Sequence, residues 1–228
     1  MNTRRYSTQG NAAPTVNAPH EEMRRRTLEV AGNAFRELGI KGVRMDDVAH
    51  RLGISKRTLY QLFTDKEQLL LACVKEQTRQ RHERTLELAS RTDSVLELLL
   101  WIFEDHFTEL KGLSPTFISD LVKFPTVMQF IEEEQARRRE QAVDFLQKGA
   151  AQGYFREDVN FGIIYDVTSQ VLIATHLLSH LQHYSLHELF VNIVILHIRG
   201  CATEAGMRLI DDFLQKFRTR YQEPAACS

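Results

Sequence analysis

Apolar positions recur at helical spacing along almost the whole chain, and no stretch shows sustained alternation of apolar and polar residues. The clearest pattern lies between Met45 and Phe63. Met45, Val48, Ala49 and Leu52 form one apolar stripe, and Leu59, Leu62 and Phe63 form a second, offset by Gly53. Gly53 suits a sharp left-handed bend, Ile54 is placed to plug the angle between the two pieces, and Ser55 is placed to cap the second. Ala49 is small where two steeply crossing helices come closest. Upstream, Leu28, Ala31, Phe35 and Leu38 predict a first helix over 21–38, packed beneath this pair and stopped by Gly39. Downstream, Thr64 and Glu67 have the spacing of a capping box and predict a long helix from Asp65 to Ser90. Further helices are predicted over 94–110, 115–124, 126–152, 160–183, 185–199 and 203–218, the last capped by Thr203. The breaks fall at Gly112-Leu113-Ser114-Pro115, Pro125, Gly153 and Gly200.

Two short helices joined by a tight turn are the layout of a helix-turn-helix, whose second helix enters the DNA major groove. The outward face of that second helix carries Lys56, Arg57, Thr58, Tyr60 and Gln61, side chains of the kinds that contact base edges and phosphates. An ordinary helical corner with a solvated polar face has the same turn. The continuation separates the two. The run from Gly53 through Ser55-Lys56-Arg57-Thr58-Leu59-Tyr60 to Thr64-Asp65-Lys66-Glu67 and Leu70 resembles the signature of the TetR family of bacterial transcriptional regulators. Leu28, Ala31, Phe35 and Gly39 stand where that family's first helix and its terminating glycine stand.

The resemblance covers about the first third of the chain, and it implies an all-α fold. An N-terminal three-helix helix-turn-helix head would be followed by a larger C-terminal helical bundle. The expected division is a disordered tail over 1–20, a DNA-binding head over 21–67, and an effector-binding and dimerisation body over 68–228. It implies DNA contacts at Arg44, Ser55, Lys56, Arg57, Thr58, Tyr60, Gln61 and Lys66. Of these, Lys56, Tyr60 and Lys66 are assigned to phosphate, and Arg57, Thr58 and Gln61 to bases. The chain departs from the family at Thr27, where an aliphatic residue is usual, at Val30 and Ala34, and at Arg44, where Ser or Thr commonly caps the second helix. An arginine cannot accept the free amide bonds there, although its place suits a phosphate.

Composition adds a bias of charge. The chain has 228 residues, 43% hydrophobic and 26% charged, with a formal net charge of −1. Residues 1–67 hold 12 Lys/Arg against 8 Asp/Glu, and the rest hold 17 against 22, so a basic head sits on an acidic body. No apolar run reaches the length of a membrane span, and the start lacks the apolar core of a signal peptide. Cys73, Cys201 and Cys227 are scattered, without a disulfide or zinc pattern, and Cys73 has no context that would make it a redox sensor. These features lead to the expectation of a cytoplasmic protein.

In the body, the aromatic residues Trp101, Phe103, Phe107, Phe117, Phe124 and Tyr165, with His106, are the candidates for an effector pocket; the pocket itself is what the resemblance implies, and core packing is the alternative for each residue. An apolar or aromatic small molecule suits such a lining. The stretches 160–183 and 185–199 are apolar nearly all round, so a second subunit is expected to cover them, with Leu177, Leu181, Phe190 and Ile193 at the seam. His176, His180, His183 and His187 include pairs one turn apart, but no carboxylate or cysteine completes a ligand set, and neither a metal nor a cofactor is expected. No nucleophile elbow, phosphate loop or metal-protease motif is present, so an enzyme is not expected. The reading is a homodimeric regulator, a repressor on a palindromic double-stranded DNA operator, released by a small effector. The alternative is a helical ligand-binding or scaffolding protein that keeps the head without specific DNA binding.

Overall fold

The computed structural model describes residues 18–114, 116–177, 184 and 186–221. The described residues are helical throughout, apart from short connections and one isolated bridge pairing Phe155 with Ala202. Helix α1 (Ala18–Leu38) lies against α2 (Met45–Leu52) and α4 (Lys66–Ala89), with α3 (Lys56–Leu62) between them in sequence. The body follows with α5 (Val95–Lys111), α6 (Phe117–Leu121), α7 (Pro125–Ala151) and α8 (Phe161–Leu177). Next, α9 (Leu186–Leu189) runs through a π-helical stretch (Phe190–Ile195) into α10 (Leu196–Cys201), and α11 (Glu204–Tyr221) closes the described chain. Helix α1 already includes residues 18–20, which were expected in the tail.

Local chemistry accounts for the ends of the head helices. Gly53 adopts φ 67° and ψ 29°, the left-handed conformation that costs a glycine no Cβ clash, and the amides of Gly53 and Ile54 cap carbonyls of α2. Ile54 packs against the head core, as its position predicted. Ser55 Oγ accepts the Thr58 amide at 3.1 Å and so caps α3. At α2, Arg44 offers no side-chain acceptor, but the Asp47 carboxylate accepts the Arg44 backbone amide at 2.9 Å, which retains half of a capping box.

Two expectations need correction. Helix α4 is capped by Asp65, whose Oδ1 accepts the Gln68 amide at 2.8 Å, and not by Thr64. Glu67 is unavailable to complete a box because its carboxylate reaches the Thr126 amide at the start of α7. Leu38 is 52% exposed, and Ile40, past the Gly39 bend, fills the core in its place. Thr27, by contrast, is fully buried where an aliphatic residue was anticipated. Its hydroxyl donates to the Met23 carbonyl one turn back, so no polar atom is stranded.

Two cores result. The first joins Leu28, Ala31, Ala34, Phe35, Val43, Val48, Ala49, Leu52 and Leu59 of the head to Leu69, Leu70 and Cys73 of α4, and then to Phe117 and Leu121 of α6 and Val127 of α7. It is therefore continuous across the boundary expected near residue 67. The second core gathers Leu96, Leu100 and Phe107 of α5 with Phe190, Val194, Ile195, Ile198, Ile210, Leu214 and Phe217. Between the cores, α4 and α5 are tied by ion pairs. Arg81 meets Glu109 at 2.7 Å, and Arg84 meets Asp105 at 3.1 Å and also Glu109. Burial alone would raise the Glu109 carboxyl, but the guanidinium groups of Arg81 and Arg84 hold it below its ordinary value.

The cap assignment at α4 is checked by two single variants in urea unfolding. Asp65→Ala is expected to lose about 1 kcal/mol, and Thr64→Ala to remain within about 0.5 kcal/mol of the parent.

Candidate nucleic-acid interface

Helix α3 turns Leu59 into the core and leaves Lys56, Arg57, Tyr60 and Gln61 exposed on the opposite side. Seven residues of helix thus present one continuous polar face, held in place by its buried leucine and by the Ser55 cap. Thr58 is only half exposed. Its Oγ1 lies 2.8 Å from Ser55 Oγ, so both hydroxyls are engaged in holding the start of the helix. Ser55 and Thr58 therefore shape this face from its edge.

Lys56 is not idle. Its Nζ pairs with the Asp46 carboxylate at 2.8 Å and lies 5.9 Å from the centre of the Tyr60 ring. The hydrogen bond to Asp46 and the attraction of its charge raise the lysine above its ordinary value. Both partners are solvent-exposed, where such a pair is weak and yields readily to a competing anion. Asp46 escaped notice in the sequence because it lies ten residues from Lys56, on another helix, at no helical spacing. Arg44 is exposed at the start of α2. Lys66 stands at the start of α4, half buried. Burial lowers its ammonium below the ordinary value, and the carboxylates of Asp120 and Asp47 partly offset that effect.

The seven candidates for an effector pocket do not form one cluster. Phe117 and Phe124 pack in the head core. Phe103 and Phe107 pack in the second core, where Phe107 lies 5.0 Å from Phe217 and 5.4 Å from Phe190, centre to centre. Trp101, His106 and Tyr165 belong to neither core and are partly exposed, with the Tyr165 hydroxyl donating to the Gln135 carbonyl at 3.3 Å. Four of the seven join a core, and which of the two cores each one joins depends on how α5, α6 and α7 cross. A groove of about 530 Å³ lies along α7 and the loop before α8, lined by Arg139, Val143, Gln147, Val159 and Phe161, and includes none of the seven.

Of the four seam candidates, Leu181 and the side chain of Leu177 lie outside the described residues. Phe190 is enclosed in its own chain's core, so it is not presented to a partner. Ile193 is partly exposed. Among the described side chains of α8 and α10, Ile163, Val167 and Leu196 are exposed apolar positions, with Leu196 63% exposed. His176 falls within α8 without a described side chain, and His180 and His183 lie outside the described residues. The His187 ring stacks on Phe217 at 5.5 Å, and its buried Nδ1 has no hydrogen-bond partner among the described residues. Cys73 is buried, donates weakly to the Leu28 carbonyl at 3.6 Å, and is pushed by burial up to about 12, which keeps it a thiol. No helix among the described residues is long and apolar enough to cross a membrane.

Comparison with known proteins places this geometry in context. Residues 28–73 match the family described as "Bacterial regulatory proteins, tetR family". The chain is 26% identical over 162 residues to the HTH-type transcriptional repressor KstR2 of Mycolicibacterium smegmatis, an alignment covering 67% of this chain and 77% of that protein. It is 30% identical over 116 residues to the HTH-type transcriptional activator FasR of the same organism, covering 48% of this chain and 52% of that one. Its fold is similar to the solved structure of the ketosteroid transcriptional regulator KstR2 of Mycobacterium tuberculosis, with a TM-score of 0.53 and 22% identity over 84% of this chain and 99% of that one.

His106 provides a test of the chemistry behind the head. Burial drives its imidazole down to about 4, with the positive charge of Arg81 adding to the effect and Glu109 and Asp105 opposing it. The folded protein therefore binds this proton less tightly than the unfolded chain, whose histidines titrate near 6.5. This contribution to stability is fully present above pH 6.5 and is lost as the pH falls from there towards about 4. His106→Phe is expected to flatten the fall in the urea midpoint over this window. Equal pH slopes for parent and variant would show that His106 is not the group responsible.

Proposed function

The chain belongs to the TetR family of bacterial regulatory proteins and is a DNA-binding regulator; from that premise we propose that it acts as a homodimeric repressor on a palindromic operator. The observation that carries this reading is the exposed face of α3, where Lys56, Arg57, Tyr60 and Gln61 stand opposite a single buried leucine. A helix so anchored can enter the major groove without disturbing the core beneath it. Arg57 and Gln61 are assigned to base edges, with Thr58 at the margin of the same face. Lys56, Tyr60, Lys66 and Arg44 are assigned to phosphates, and Ser55 holds the start of the helix against the backbone. Binding exchanges the Asp46 partner of Lys56 for a phosphate, a change favoured by release of counterions from the DNA.

A second subunit supplies the twofold symmetry of the site. Ile163, Val167, Ile193 and Leu196 leave apolar surface on α8, the π-helical stretch and α10, and a copy of the same surface covers it. The two α3 helices must then lie about 34–36 Å apart to enter successive major grooves on one face of the duplex. An apolar effector held by the body favours a dimer with a different spacing and so releases DNA. The similar fold of a ketosteroid transcriptional regulator supports an apolar ring compound of this kind. Coupling of 1–3 kcal/mol is typical of such switches, and it acts equally in both directions.

Duplexes selected by the purified protein from a random-sequence pool provide the operator for binding measurements. Arg57→Ala is expected to lose preference at one position of each half-site, by roughly 1–3 kcal/mol, while binding random DNA as before. Lys66→Ala is expected to weaken binding to both DNAs alike and to flatten the salt dependence by about one unit of slope. Equal losses on both DNAs for Arg57→Ala would remove its base-reading role.

Light scattering of the parent protein is expected to give the mass of a dimer, and Ile193→Glu that of a monomer or an aggregate, because an unpaired charge in an apolar seam is costly. A well-behaved monomeric parent would refute the palindrome as well.

A further inference from the structure

Asp120 is a buried carboxylate that no step of the proposed function uses. It lies on α6, only 4% exposed, and its Oδ2 accepts the backbone amide of Lys41 at 2.9 Å. The Lys123 ammonium lies 3.4 Å from the other oxygen, and the charge of Lys66 on α4 also feels this group. A carboxylate is buried at high cost unless its oxygens are satisfied, so the bond across the 79 residues from Asp120 to Lys41 is a demanding one.

The same corner of the head is held at further points. The Ser114 amide donates to the Arg36 carbonyl at 2.6 Å, and the Arg36 guanidinium donates to the Glu109 carbonyl at 2.7 Å. Gly39, at φ 76°, brings its backbone so close that a Cβ there would stand 2.3 Å from Thr116 Oγ1. The turn between α1 and α2 is thus seated on the end of α5 and the start of α6. Three residues beyond Lys41, the chain reaches Arg44 and the start of α2.

We propose that Asp120 is a positioning residue for operator binding: by holding the Lys41 amide, it sets the orientation of the DNA-binding head on the body. The role rests on the reading of the chain as a dimer on a two-half-site operator. Two heads can engage such a site together only when each is held at the right angle and spacing. Random DNA makes no such demand, because its phosphates are met in any register. Loss of the Asp120 anchor therefore weakens operator binding selectively. A residue that served stability alone would not separate the two DNAs at temperatures where the protein is folded.

The experiment uses the full chain, the operator selected by the parent protein, and a random-sequence duplex of the same length. Asp120→Ala removes the acceptor, and Asp120→Asn retains an oxygen for the Lys41 amide. Asp120→Ala is expected to bind the operator at least ~10-fold more weakly, a change typical of a misplaced binding element. Its affinity for random duplex and the salt slope on that duplex stay at the parent values, and exchange of the Lys41 amide with deuterium speeds up. Asp120→Asn restores operator binding and slow exchange. Equal losses on both DNAs, unchanged operator binding with the Lys41 amide exposed, or an Asn variant as weak as the Ala variant would each overturn the role. If Asp120→Ala fails to fold, Asp120→Ser, whose hydroxyl is too short to reach the amide, carries the same comparison. A parent protein that selects no sequence would overturn the operator reading and this role together; a parent that selects a site which Asp120→Ala binds equally well would overturn the role of Asp120 alone.

Discussion

A head of about fifty residues buries too small a fraction of its surface to stand securely by itself. The structure meets this constraint by completing the head core with side chains from elsewhere. Leu69, Leu70 and Cys73 arrive on α4, Phe117 and Leu121 on α6, and Val127 on α7. The stability of the recognition helix and its attachment to the body are therefore one property. A displacement of α6 or α7 relative to the head must open apolar surface or carry the head along, because packed interiors do not deform continuously.

Polar groups refine what this packing sets. Glu67 reaches the start of α7, Asp120 holds the amide of Lys41, and Arg81 and Arg84 clamp α4 to α5. These bonds are directional, so they select one relative orientation from the several that apolar contact alone would tolerate. The outward charges are arranged differently. Lys56 is paired only with an exposed aspartate, and Arg44 and Arg57 are exposed. Strong, partly buried electrostatics lie where the head must be held. Weak, exchangeable electrostatics lie where it meets DNA.

The second core has a separate logic. Phe103, Phe107, Phe190, Phe213 and Phe217 pack with tilted, edge-on and stacked rings between α5, the π-helical stretch and α11. Phe190 was read from the sequence as surface for a partner because the helix carrying it is apolar nearly all round. The structure divides that helix, so Phe190, Val194 and Ile198 face inward while Leu196 faces out. An insertion of π-helical turn rotates the register between its two ends, and a pattern read at a uniform 3.6 residues per turn cannot follow it.

What the sequence by itself determined were the features governed by neighbours along the chain. Gly53 stops α2 because it alone tolerates the left-handed bend, Ser55 starts α3 because its oxygen reaches an amide three residues on, and Thr203 starts α11 in the same way, accepting the Gly206 amide. The polar face of α3 follows from the spacing of Leu59 within it. Where two local answers were equally good, the tertiary structure chose. Thr64 and Asp65 are both capable caps, and Asp65 prevails where Glu67, which would complete a box with Thr64, is drawn to Thr126. Phe103, Phe107 and Phe117 were candidates for one cluster, yet the crossing of the helices assigned them to two different cores. Asp120 and Lys41 lie 79 residues apart, and no local periodicity could have paired them. Spacing along a helix reports which side of it faces inward; only the packed chain decides what lies on the other side.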